Sequence, residues 1–309
     1  MRILTNSIER WREEICRHLL TLDFEPASEG QFRGSILGLV NANGVRVTEI
    51  GHTPGHSCRD QRLAKDGTDT LALLFATGGA MHVSHCGREV QLRSGGATLL
   101  RNREPGKVAL SREGKYTAVL IPNGALQNGH AIDALVGRRL PETTALNLIK
   151  SYISSLKAGH DPADSELARL ASGHLIELAR LALAAGAERA EEAEPESIRE
   201  VRLRVALELI SKRHRESDLC VNDIAAAQGI STRYLQKLLE GKGISFSSHV
   251  NDLRLQTAHA ALRQRETQFG NIAEIAFSCG FRDLSYFNRL FRRHFGDTPT
   301  GVRSARDRA

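Results

Sequence analysis

Around Phe287 the chain sets Arg282, Ser285, Asn288, Arg289 and Arg292 beside an apolar stripe of Phe287, Leu290 and Phe291. At helical spacing the two sets fall on opposite faces of one helix. Arginine presents paired N–H donors that match the O6 and N7 acceptors of guanine, and asparagine matches the N6 and N7 edge of adenine. The chemistry these residues point to is hydrogen bonding to base edges in a major groove.

Reading bases needs a helix held at a fixed angle, and the preceding residues supply the means. Asn271, with Glu274 three residues on, forms a capping box for a short helix whose Ile272, Ile275 and Ala276 face inward. Gly280 stops that helix, since its C-terminal cap favours the left-handed conformation that glycine enters freely. Asp283 then caps the polar-faced helix. Two short helices joined by a tight turn, the second presenting Arg and Asn, form a helix-turn-helix.

The arrangement occurs twice. Residues 224–230 align with 275–281 at an offset of 51 residues, and Tyr234-Leu235 through Leu239 align with Tyr286-Phe287 through Phe291 at 52. Between the copies, Ile244, Phe246, Val250, Leu253, Leu255, Ala258, Ala261 and Leu262 keep a helical period with no internal glycine or proline. A stiff helix should therefore join two reading heads and hold them about one DNA turn, roughly 34 Å, apart.

Residues 198–306 resemble the C-terminal DNA-binding domain of AraC-type (AraC/XylS) bacterial transcription regulators. The resemblance is carried by Gly280-Phe281, Ser285-Tyr286-Phe287, the 291–296 run, Thr298-Pro299 and Arg303, and in the first copy by Gly229, Ser231, Tyr234-Leu235, Gly243 and Arg254-Leu255. It implies that Thr232, Arg233, Gln236 and Lys237 face DNA in the first head. Arg289 takes the place of Lys237 in the second. Three positions depart from the pattern: Cys220 stands at the usual Ser/Thr cap, Leu239 at a customary Phe, and Val302 at the aromatic before Arg303. Loss of a cap costs about 1 kcal/mol, which would make the first head the less stable.

Charge follows the same division. Residues 201–309 hold 18 Lys+Arg against 11 Asp+Glu, whereas residues 1–200 hold 24 against 25. The basic excess lies wholly in the helix-turn-helix region, the electrostatic footprint of phosphate binding. A length of 309 residues suits two domains. No apolar run approaches the roughly 20 residues of a membrane span, and no basic-then-apolar signal opens the chain, so a cytoplasmic protein is expected. The five cysteines, Cys16, Cys58, Cys86, Cys220 and Cys279, form no Cys-x-x-Cys pair for zinc or redox work. Cys220 and Cys279 are expected to pack as small hydrophobes, and Cys58 or Cys86 is a redox-sensing alternative.

From Arg33 to Pro122, glycine-bearing turns recur at the spacing of short strands, including Asn43-Gly44, Cys86-Gly87 and Ser94-Gly95-Gly96. Runs such as 45–50, 71–77, 80–84, 90–92 and 116–121 are rich in Val, Ile, Leu and Thr, which points to a β-sandwich or barrel. This part resembles the family's cupin-like sensor, most clearly at the 87–92 hairpin and Gly95-Gly96, with an amphipathic helix from Ser7 to Leu20 laid against it. Leu71, Leu73 and Phe75 alternate inward, either as the wall of an effector pocket or as a filled core. Metal catalysis is not expected: a metal cupin needs a His-x-His pair, whereas His82 and His85 point to opposite faces of a strand. His52 and His56 flank Pro54-Gly55, which suggests a loop. DNA-repair methyltransferases with a similar reading domain need a four-cysteine zinc module that this sequence lacks.

Two amphipathic helices follow. Leu146, Ile149, Ile153 and Leu156 line one, and Leu167, Leu170, His174, Leu178 and Leu181 line the other, with a turn at 161–164. In the family this pair mediates dimerisation; the alternative is packing on the barrel itself. Residues 187–197 are acidic and lack bulky apolar side chains, as in an extended linker, and Ser197 with Glu200 forms the next capping box.

The expected fold class is α+β with two domains: a cupin-like β-barrel with a helical hairpin (1–185), a linker (186–197), and an all-α domain with two helix-turn-helix units (198–309). The expected function is sequence-specific DNA binding by a transcription regulator, as an activator answering a small-molecule effector. The alternative is a regulator controlled by its abundance or by a protein partner. Double-stranded promoter DNA, a second copy of the chain and RNA polymerase are the expected partners; no catalytic residue, metal or cofactor is expected.

Overall fold

A computed structural model describes residues 1–28, 31–126, 129–159, 165–264 and 271–308, in two compact units, Met1–Glu192 and Ala193–Ala309. In the first, the glycine turns deliver strands β1 (Arg2–Thr5), β2 (Asp23–Pro26), β3 (Gly34–Ala42), β4 (Val45–His52), β5 (Gly55–Arg59), β6 (Thr70–Gly78), β7 (Ala80–His85), β8 (Arg88–Arg93), β9 (Ala97–Arg101), β10 (Gly106–Leu110) and β11 (Gly114–Pro122). Helices α1 (Ile8–His18), α2 (Asn123–Leu126), α3 (Gly129–Leu135), α4 (Thr144–Ala158) and α5 (Ser165–Glu192) complete it. The expected turn at 161–164 lies outside the described residues.

The strands form two antiparallel sheets, ordered β1-β3-β4-β11-β6-β9 and β2-β5-β10-β7-β8. Among the described residues no ladder joins them, so the cupin-like barrel is a flattened, unclosed sandwich. Its interior holds Trp11 and Ile15 from α1 with Phe24, Ile50, Leu74, Met81, Val83 and Tyr116. Leu71, Leu73 and Phe75 are not part of it. They lie on the opposite face of β6, in a second core built with α3, α4 and α5, while Ala72, Leu74 and Ala76 point between the sheets. Because β6 is covered on both faces, residues 71–76 are all apolar and nothing among them marks which face is which.

The helices correct the sequence reading twice. Leu146, Ile149 and Ile153 are at most 7% exposed, and Leu156 packs partly buried beside them, so this stripe fills the unit's own core and offers no face to a partner. On α5 the buried positions are mostly small: Ala171, Ser172, Leu175, Ala179, Ala182, Leu183, Gly186 and Ala187. A Cβ on Gly186 would stand 3.2 Å from Leu135, so close helix packing selects small residues here. Leu167, Leu170 and Leu181 consequently face outward, as does His174, whose Nδ1 lies 2.9 Å from the Tyr152 hydroxyl.

α5 runs unbroken to Glu192, so residues 186–192, expected in the linker, are helical, as the alanines and glutamates there favour. The second unit comprises α6 (Glu196–Arg213), α7 (Val221–Ala227), α8 (Thr232–Glu240), α9 (Phe246–Arg263), α10 (Ile272–Ser278), α11 (Leu284–Phe295) and α12 (Pro299–Arg308). Pro195, not Ser197, is the N-cap of α6, and its carbonyl accepts from the Ile198 and Arg199 amides. Proline's fixed φ starts the helix two residues before the expected Ser197–Glu200 box.

Candidate nucleic-acid interface

Each head is a small core with a polar helix on its outside. In the first, Leu203, Ala206 and Ile210 of α6 meet Ile224 and Ala225 of α7 and Tyr234, Leu235 and Leu239 of α8. Leu239, in the place of the customary aromatic, is fully enclosed. Cys220 is the N-cap of α7; it is exposed, not packed as expected, and its backbone N–H donates to the Asp223 carboxylate at 2.8 Å. With a thiol where a hydroxyl usually stands, Cys220 keeps the capping box, and hydrogen bonds from its side chain and then its backbone lower the Asp223 pKa. Ser231 caps α8 by accepting from the Tyr234 amide at 3.1 Å.

The second head repeats the plan with cleaner caps. Asn271 accepts from the Glu274 amide at 2.9 Å, and Asp283 accepts from the Tyr286 amide. Phe287, Leu290 and Phe291 are buried against Ile275, Ala276 and Phe281, and Cys279 packs beside them as expected. Val302, lacking the family's aromatic ring, still rests partly buried on this core. Between α10 and α11, Gly280 has φ +93°, and a Cβ there would stand 2.8 Å from the Arg215 carbonyl. Backbone conformation and space both require glycine at this turn.

α9 joins the heads and belongs to both cores: Val250 enters the first, and Leu255, Ala258 and Leu262 enter the second. Its 18 residues span about 27 Å at 1.5 Å per residue. Arg254, midway along, is 9% exposed and donates to the carbonyls of His214 and Glu216, both at 2.6 Å, while its guanidinium lies 5.9 Å from the Phe281 ring centroid. One buried cation thus ties the α6–α7 connection of the first head to the turn of the second. Burial, with the nearby Arg282 charge, lowers its pKa from the usual arginine range.

The polar faces of α8 and α11 point away from the two cores. Arg233, Gln236 and Lys237 are exposed on α8; Ser285, Asn288, Arg289 and Arg292 are exposed on α11, with Arg282 just before it. Thr232 is half-buried and its hydroxyl donates to Asn222 Oδ1 at 3.1 Å, so it belongs more to the head's internal bonding. The Arg289 guanidinium lies 5.5 Å from the Tyr286 ring centroid, and the Tyr286 hydroxyl accepts from Asn251 of α9 at 3.1 Å. Cation–π contact preorganises Arg289 on a ring that α9 itself holds. Arg293, Thr298 and Thr300, outside the DNA-facing set expected from the sequence, line a surface cleft with Asn288, Arg289 and Arg292. Thr298 accepts from the Gly301 amide at 3.0 Å at the start of α12. The signal was present in Thr298-Pro299, a proline at a helix start.

In the first unit the sheets enclose a mainly apolar cavity of about 50 Å³, with Leu19, Leu20, Leu22, Leu74, Ser57 and Tyr116 among its walls. His52 ends β4, and its ring sits edge-on to Trp11, Phe24 and Tyr116; desolvation lowers its pKa. His56 opens onto Glu25 at 3.2 Å from within β5, not from a loop. The Cys86 thiol donates to Glu104 at 2.8 Å, and burial with that carboxylate pushes its pKa up to about 11. A thiol held protonated in this way is a poor redox sensor.

Two domain families match the chain: an AraC-binding-like domain over residues 11–192 and a helix-turn-helix domain over residues 224–305. The chain is 39% identical over 83 residues to the transcriptional activator RhrA of Rhizobium meliloti (strain 1021), covering 27% of this chain and 26% of that protein. It is 29% identical over 165 residues to the HTH-type transcriptional activator RhaS of Klebsiella pneumoniae (strain 342), covering 53% of this chain and 56% of that one. These matches span between about a quarter and about half of the relatives' lengths. The crystal structure of the AraC-like transcriptional activator CuxR superposes with a TM-score of 0.51 over 84% of this chain and 96% of that one, at 14% identity, a likeness of fold. With an AraC-binding-like first unit and a paired helix-turn-helix second unit, the chain belongs to the AraC/XylS family of DNA-binding transcription regulators, which is not a family of enzymes.

Proposed function

We propose that this protein acts in the cytoplasm as a transcription activator whose two heads read successive major-groove segments of promoter DNA. The observation that carries this reading is the Arg254 tie, which fixes both heads on α9 with their polar helices exposed. Arg233, Gln236 and Lys237 read one segment; Arg282, Ser285, Asn288, Arg289 and Arg292 read the next, with Arg293 and Thr298 on phosphates. RNA polymerase is the partner that activation requires. Selection of bound fragments from random DNA tests the reading. It should yield two conserved blocks about one helical turn apart, and Arg233→Ala should weaken binding by about 1–3 kcal/mol and relax preference in one block only. Equal loss on random DNA would make Arg233 a phosphate contact.

Effector binding between the sheets needs the interior to open. A cavity of about 50 Å³ holds a few waters' worth of space and no sugar-sized molecule unless Leu19, Leu20 and Leu22 withdraw. The small interior equally favours a regulator controlled by its abundance or by a protein partner. Thermal unfolding of the full chain against a metabolite panel separates the two readings, since a true effector raises the melting temperature by mass action. For a homodimer the surface is Leu148, Leu167, Leu170 and Leu181, which are 38–61% exposed on α4 and α5.

A further inference from the structure

Glu194 lies in the short connection between α5 and α6, in a stretch whose composition reads as a solvated acidic linker. Its side chain is only 12% exposed. Oε2 accepts from Arg202 Nε at 2.8 Å and Oε1 from Arg202 Nη2 at 2.9 Å, a two-pronged pair. Oε2 also accepts from the Tyr234 hydroxyl at 2.6 Å. Arg202 extends its remaining nitrogen toward the Gln228 carbonyl, 3.5 Å away in the turn between α7 and α8. One carboxylate from the connection therefore gathers α6, the helix-turn-helix turn and the reading helix, at the residue next to Arg233.

The two copies differ at this point. Tyr286 stands where Tyr234 does, but its hydroxyl is held from inside the domain by Asn251 of α9, and it is 38% exposed. Tyr234 is 6% exposed and held by Glu194. Of these two tyrosines, only the one in the first head is bonded to the segment through which the first unit is joined to the second.

We propose that Glu194 is a positioning residue that couples the connection between the units to the first reading head alone. When the connection is drawn out or turned, the carboxylate leaves Tyr234 and α8 loses the anchor beside Arg233. The second head, held by α9, stays as it is. A change in the first unit then alters contact with one half of the operator and leaves the other half bound. This rests on α8 being a base-reading helix.

The test uses the full chain on a selected operator fragment, with Glu194→Gln and Tyr234→Phe, which remove the charge and the hydroxyl while keeping size. Each should lower affinity about tenfold, as expected for one lost charged hydrogen bond. Protection should fail over the first-head groove segment and persist over the second. The double variant should fall no further than the stronger single variant, because both act on the same Glu194–Tyr234 bond. Equal loss over both segments, additive losses, or full first-head protection in Glu194→Gln would overturn the proposal. Arg233→Ala separates the two levels. If Arg233→Ala is silent, the reading of α8 falls and the coupling with it; if it weakens the first segment while Glu194→Gln does not, only the coupling falls.

Discussion

Single residues settle how rigid the reader is and how the sensor answers acid. Gly280 combines φ +93° with the Arg215 carbonyl where a Cβ would sit, so Gly280→Ala should cost about 1–3 kcal/mol in denaturant unfolding. A loss below a few tenths would show that the turn relaxes freely. His52 presents the opposite sign from a paired surface histidine: burial holds its folded pKa below the ordinary 6.5. The folded unit keeps His52 neutral while the unfolded chain takes up a proton, so stability is full above about pH 6.5 and falls as pH drops toward the lower folded value. His85 is lowered for the same first reason, desolvation, and adds to the slope. Trp11, the only tryptophan, is fully buried beside His52 and reports this unit alone. Its unfolding midpoint in urea should fall between pH 7 and 5.5, with a shallower fall in His52→Phe; a pH-independent midpoint would contradict the assignment.

At the scale of elements, the buried face of α4 and the outward face of α5 give the sharpest contrast. Leu146, Ile149 and Ile153, changed together to Ser, remove three buried side chains and should unfold the first unit, since each large-to-small core change costs about 2–5 kcal/mol. Leu167, Leu170 and Leu181, changed together to Ser, should leave Trp11 emission native and yield a monomer in sedimentation. A wild-type chain that sediments as a monomer at micromolar concentration would remove the dimer from the account. The sequence pattern gives both stripes one role because it follows large apolar side chains, whereas α5 packs through Ala171, Ala179, Ala182 and Gly186. The face of Leu71, Leu73 and Phe75 is ambiguous in sequence for a related reason: both faces of β6 are buried, and the run 71–76 holds no polar residue to fix its parity. The helix-turn-helix units were legible in detail because caps, a left-handed glycine and a one-sided apolar stripe all agree there. The role of Glu194 is hidden in an acidic linker composition because its partners, Arg202 and Tyr234, come from helices that only the fold brings together.

For the whole molecule, charge and rigidity act together. The excess of 18 basic over 11 acidic residues in 201–309 predicts binding that weakens steeply with salt, and Arg293→Ala should reduce the slope of log K against log salt by about 1. An unchanged slope would place Arg293 off the phosphates. Two heads fixed on α9 should read DNA together, and hydroxyl-radical footprinting of the selected operator by wild type and Arg289→Ala measures whether they do. Two protected segments about one helical turn, roughly 34 Å, apart are expected in the wild type. In Arg289→Ala, protection and base preference should fade only in the segment away from the bases that depend on Arg233. Protection confined to one groove segment in the wild type would contradict the account and leave α11 as a solvated helix.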